Sequence, residues 1–171
     1  MRILVAVDHD SVSSIVSFIK KRNWDFSDRF RIITVIDRVS EDFSAAERSP
    51  SPGTAERALG QGYQNLIELV AHALQEAFPE CLTTTCVLEG EVAEATIAEA
   101  EAWHADLITI GHHHKSALQK LLTGSVSTNV LNRAECSVLL IPVVSVDGAR
   151  QFQIDESASK TILASDAFRK H

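Results

Sequence analysis

Apolar residues along this chain fall into two alternating patterns. Short continuous runs have no polar face and predict strands buried on both sides: Ile3-Leu4-Val5-Ala6-Val7, Ile32-Ile33-Thr34-Val35-Ile36, Leu107-Ile108-Thr109-Ile110 and Val138-Leu139-Leu140-Ile141-Pro142-Val143. Elsewhere apolar positions recur every three or four residues and predict helices with one buried stripe, the first through Ile15, Val16, Phe18 and Ile19. Ser11, Ser13 or Ser14 is available as its N-cap. The longest stripe, Leu59, Tyr63, Leu66, Ile67, Val70, Ala73, Leu74 and Ala77, predicts a helix over Thr54–Phe78 whose first turns are weakened by Gly60 and Gly62. Thr83–Leu88 is rich in β-branched residues and predicts a strand closed by Gly90, followed by a helix through Ile97, Ala98, Ala100 and Trp103. Val126, Val130 and Leu131 mark a last helix before the final strand. Pro142 cannot donate a ladder bond, which puts that strand at or near an edge.

Strands alternating with helices of this length predict an α/β fold: a five-stranded parallel sheet, open and doubly wound, with right-handed crossovers and helices on both faces. In such a nucleotide-binding-like sandwich, ligands bind beyond the carboxyl ends of the strands, where the strand order reverses. Asp8, Val35 and Gly111 lie at such ends. One domain is expected over residues 1–143, and Val144–His171 reads as a polar extension. In that extension Phe152 and Ile154 suggest a short strand, and Ile162, Leu163, Ala167 and Phe168 a short amphipathic helix. The stretch from Arg38 to Gly53, rich in serine and proline, is expected to be an exposed loop.

The net charge of −7 argues against nucleic acid as a partner, because that binding relies on many Lys and Arg contacts to phosphates. No apolar run approaches the roughly 18 residues of a membrane span, and Met1-Arg2 leads directly into a strand pattern. Cys81, Cys86 and Cys136 are odd in number and form no CxxC pair. A soluble protein with reduced thiols in the cytoplasm is the expectation.

Acidic residues are common in the chain but absent between Gly111 and Arg133, where its average density would place about three. The segment follows an apolar run and contains Gly124-Ser125-Val126-Ser127 before a helical pattern, so it reads as strand, loop and helix N-terminus. Unpaired amides and the positive end of a helix dipole would meet an anion there. The His112-His113-His114 trio invites a metal reading, but adjacent residues point in different directions, and no metal site is assigned. Asp8 has a plain structural role open to it, capping a loop or the next helix, and Ser125 equally suits a helix cap.

The segment Gly111-His112-His113-His114, nine residues, then Gly124-Ser125 resembles the glycine-loop pattern of the universal stress proteins, in which Gly, two residues, Gly, nine residues and Gly precede Ser or Thr. Leu121–Val130 is similar to that family's LLxGSVSxxV stretch, Ile3–Asp8 to its first strand, Thr34–Asp37 to its second and Ala105–Gly111 to its ADLIxxG approach. The resemblance covers Met1 to about Val143 and implies a regulatory protein of a family with both ATP-binding and non-binding members, which either binds adenine nucleotide, ATP with or without magnesium, through the loop after the fourth strand or has lost that binding and works through partners. It assigns binding roles to Asp8, Val35, Gly111, His114, Gly124, Ser125, Val126 and Ser127, and no catalytic residue. It also implies a homodimer through the fifth strand.

Two positions depart from the family pattern. His114 replaces the second loop glycine, so its ring either fills the phosphate space and abolishes binding or swings outward and donates to a phosphate. Asp10 replaces the serine of the first-strand DxS motif and brings a second carboxylate toward the site. The rival function is an ATP hydrolase or nucleotide-dependent transferase, with Asp8, Asp10 or Asp37 for magnesium and one of the three histidines as base. No GxxxxGK[ST] sequence supports it.

Overall fold

The computed structural model describes residues 1–37, 52–113 and 126–143. The elements run β1 (Arg2–Ala6), α1 (Val12–Lys20), β2 (Arg29–Ile36), α2 (Pro52–Ala77), β3 (Leu82–Glu89), α3 (Val92–Ala102), β4 (Leu107–His113), α4 (Val126–Arg133) and β5 (Ser137–Val143). The five strands form one sheet in the order β3-β2-β1-β4-β5, with every pair parallel. The expected α/β architecture is therefore observed, and β5 with Pro142 is an edge strand. The segment read as a loop after Arg38 and the extension from Val144 lie outside the described residues.

Apolar runs suit this sheet because both of its faces are covered. Ile3, Val5 and Val7 point to one side, where they pack with Ile15 and Ile19 of α1 and Leu66, Ile67, Val70 and Leu74 of α2. Leu4 and Ala6 point to the other, against Ala93, Ile97 and Ala100 of α3 and Val130 of α4. The period of two in a strand thus divides one unbroken run between two cores.

Helix boundaries depart from the sequence pattern where local chemistry outweighs periodicity. α2 begins at Pro52, two residues early, because a proline in the first turn forfeits only an N–H that has no intrahelical acceptor. Gly60 and Gly62 stay within the helix, each facing open space. α3 opens on Glu91, whose carboxylate accepts the Glu94 N–H at 2.7 Å. It closes on His104 at φ 53°, a left-handed C-terminal residue whose successor Ala105 donates its N–H to Ala100 O at 2.8 Å.

The sequence pattern ends the fourth strand at Ile110, whereas β4 continues to His113 and pairs Gly111, His112 and His113 with Ile141, Pro142 and Val143. The reason lies across the sheet face. A side chain at Gly111 would put its Cβ 2.6 Å from Ser11 Cβ and 3.0 Å from Val143 Cγ2. Only a residue without a side chain lets the start of α1 settle onto β4 there.

Two stability changes follow. Gly111→Ala has to displace Ser11 or Val143, so the unfolding free energy is expected to fall by about 1–3 kcal/mol in urea titration; an unchanged midpoint would contradict this packing. Thr109 is 1% exposed, and its buried hydroxyl has no hydrogen-bond partner among the described residues. Thr109→Val removes that unsatisfied group at nearly constant shape and is expected to raise stability by about 1 kcal/mol. A loss in the same titration would contradict the assignment.

Candidate functional site

The β1–α1 turn is held by a reciprocal pair. The Asp8 carboxylate Oδ1 accepts the N–H groups of Asp10 and Ser11 at 2.9 and 2.8 Å, and the Asp8 N–H donates to Ser11 Oγ at 3.0 Å. This is the logic of a capping box, with each side chain satisfying the other residue's amide. The structural role foreseen for Asp8 is therefore real, and Ser11 serves it from a fully buried position.

Above this turn the carboxyl ends of β1, β2 and β4 open a cleft of about 470 Å³, within the usual range for small-ligand sites. The first crossover carries the chain from β1 to β2, and β4 lies on the other flank of β1, so the cleft occupies the place where the strand order reverses. Asp8, Val35, Gly111, Val126 and Ser127, which are far apart in sequence, all line it. Of the remaining residues singled out from sequence, His114, Gly124 and Ser125 lie outside the described residues.

Sequence reasoning missed several parts of this cleft. Thr34 from β2, Val92 and Thr96 from the start of α3, His9 from the turn and Tyr63 from α2 also line it. Tyr63 appeared in the sequence only as a member of an apolar stripe. Because α2 begins at the carboxyl side of the sheet, its early turns pass the cleft, and Tyr63 reaches His9 with ring centroids 5.9 Å apart. A polar-tipped aromatic near the N-terminal end of that helix was the available signal.

His112 follows Gly111 in β4, on the face of the sheet covered by α3 and α4. Its Nδ1 lies 2.9 Å from Ser127 Oγ, and Ser127 is 4% exposed at the start of α4. Nothing in the spacing of the two residues indicated this bond. α4 is tied to α3 by Arg133, which makes two contacts to the Glu94 carboxylate, one of them at 2.9 Å from Nη2 to Oε2. That bond to Arg133 holds the Glu94 carboxyl below its usual range.

The described cleft lining carries the carboxylates Asp8 and Asp10 and includes neither lysine nor arginine. Within this described lining, the groups that suit an anion are main-chain amides, the Ser127 hydroxyl and the start of α4. Among the described residues, no group of three or more His, Cys, Asp or Glu converges to hold a metal ion. Burial raises the Cys81 and Cys136 thiols, which favours their neutral form.

Comparison with known proteins places these features in a family. The sequence model of the universal stress protein family matches residues 1–142. A universal stress protein of Methanocaldococcus jannaschii is 40% identical over 57 residues, covering 33% of this chain and 34% of that protein; the matched segment thus spans about a third of the curated relative. Among solved structures, hypothetical protein MJ0577 is 20% identical with a TM-score of 0.65, over 84% of this chain and 96% of that one. A universal stress protein in complex with cyclic AMP is 16% identical with a TM-score of 0.57, over 84% and 98% of the two chains. A family member from Arabidopsis thaliana with AMP bound is also 16% identical with a TM-score of 0.57, over 86% and 94%. The fold agrees with all three, and the family match spans every described strand but the last residue of β5. The chain belongs to the universal stress protein family.

Proposed function

We propose that this protein binds an adenine nucleotide in the cleft beyond β1, β2 and β4, and that it acts as a regulatory protein rather than as an enzyme. The observation that carries the reading is convergence: Asp8, Val35, Gly111, Val126 and Ser127 share one cleft of about 470 Å³. The AMP and cyclic AMP present in two structures of the same fold support it. In this reading the base and ribose lie against Asp8, Thr34 and Val35, and the phosphate lies toward Ser127 at the start of α4. The absence of cationic side chains from the described lining suits a ligand of low charge at that end.

Two further parts of the proposal concern assembly and location. β5 is an edge strand with apolar Val138, Leu139 and Leu140 partly buried, and such an edge pairs readily with a second copy. The three cysteines are free thiols, which suits a reducing cytoplasm. Among the described residues no helix is long and apolar enough to cross a membrane.

Calorimetry with AMP and ATP tests the nucleotide reading. Binding to the wild type is expected, and Val35→Ala is expected to weaken it about ten-fold, since two methyl groups leave the base contact. If His114 blocks the site, His114→Gly restores binding. Failure of both the wild type and His114→Gly to bind either nucleotide would overturn the proposal. In sedimentation at micromolar concentration the expected species has twice the 18.7 kDa chain mass, and a monomer would contradict pairing through β5.

A further inference from the structure

His112, the first of the three histidines, lies in β4 and turns its side chain toward the start of α4. His112 does not line the cleft, but its Nδ1 lies 2.9 Å from Ser127 Oγ, and Ser127 does line it. The bond joins the end of β4 to the start of α4. A hydroxyl offers one proton and two acceptor positions, and an imidazole nitrogen either donates or accepts. The direction of this bond affects which way the serine proton points.

We propose that His112 is a positioning residue for the phosphate of the bound nucleotide, acting through Ser127, and that its protonation strengthens anion binding in the cleft. This rests on the nucleotide reading above. When Nδ1 carries no proton, it accepts from Ser127, and the hydroxyl is turned toward the ring. When the imidazole is protonated, Nδ1–H donates, Oγ accepts, and the serine proton is directed to another acceptor such as a phosphate oxygen. Protonation also puts a positive charge behind a cleft whose described lining otherwise carries Asp8 and Asp10 without a Lys or Arg. Both effects have the same sign.

Among the described residues, these groups lie near His112 or at the cleft. Its register partner on β5 is Pro142, which does not titrate, and its neighbour in β4 is His113. The β1–α1 turn contributes Asp8, His9 and Asp10 across the cleft. Glu91 caps α3, and Glu94 of α3 is engaged with Arg133 of α4. His9 is thus a second imidazole at the cleft, so the test has to separate it from His112.

The probe is cyclic AMP, whose phosphodiester charge stays constant across the range in which imidazoles titrate. Its affinity for the wild type is expected to fall about ten-fold between about pH 5.5 and about pH 8.5, as a charge-assisted arrangement is lost. His112→Asn puts an amide close to the Nδ1 position that can donate at every pH, so its profile is expected to be flat within about two-fold. A merely structural role for His112 would not remove the slope. A flat wild-type profile, or a slope that persists in His112→Asn and therefore belongs to His9 or another group, overturns this inference while leaving the nucleotide reading intact. No binding of cyclic AMP, AMP or ATP at any of these pH values overturns both.

Discussion

The architecture of the cleft depends on a close approach between two residues, Gly111 in β4 and Ser11 at the start of α1. There is no room for a methyl group between them. Because Ser11 reaches so far down, its Oγ accepts the Asp8 N–H while Asp8 takes the N–H groups of Asp10 and Ser11. The turn is thereby closed, and Asp8, His9 and Asp10 are held at the rim of the cleft. On the far side, α3 and α4 bring Val92, Thr96, Val126 and Ser127 to the same hollow, with Glu94 and Arg133 joining the two helices. The described part of the site is built on strand ends and helix starts, which hold geometry well.

The described lining of this hollow lacks the permanent cations of a typical polyphosphate site. Its described lining carries two carboxylates, one imidazole and no permanent cation. A protein of net charge −7 gains little from long-range attraction of anions. Within the described lining, directional contacts come from main-chain amides and the Ser127 hydroxyl, with the His112 imidazole behind it. In the proposed site the bond between His112 and Ser127 gains weight for this reason, since the described lining supplies few charges.

The sheet was legible in the sequence because parallel strands buried on both faces leave unbroken apolar runs, as in Ile3–Val7 and Leu107–Ile110. Binding beyond the carboxyl ends of the strands was expected from the alternation of elements, the strand order came only with the structure, and Asp8, Val35 and Ser127 could be assigned to the site from motif resemblance. What the sequence did not disclose depends on contacts between distant segments. Gly111 read as the start of a loop because nothing local reveals that Ser11 lies opposite. Tyr63 read as core because its periodicity fits a buried stripe, whereas the direction of α2 takes it to the cleft. His112 stood in the shadow of His114, which departs visibly from a motif; its bond to Ser127 exists only once α4 packs over the end of β4.

The central claim is that a nucleotide occupies the hollow between β1, β2 and β4. Amide spectra of ¹⁵N-labelled protein titrated with AMP test it most directly. The account predicts that the largest shifts fall on Asp8, Thr34, Val35, Gly111, Val126 and Ser127, with α1 beyond its first turn nearly unmoved. Shifts absent throughout, or centred on the outer groove between α1 and α2 at Val16, Leu69 and Ala73, would contradict it.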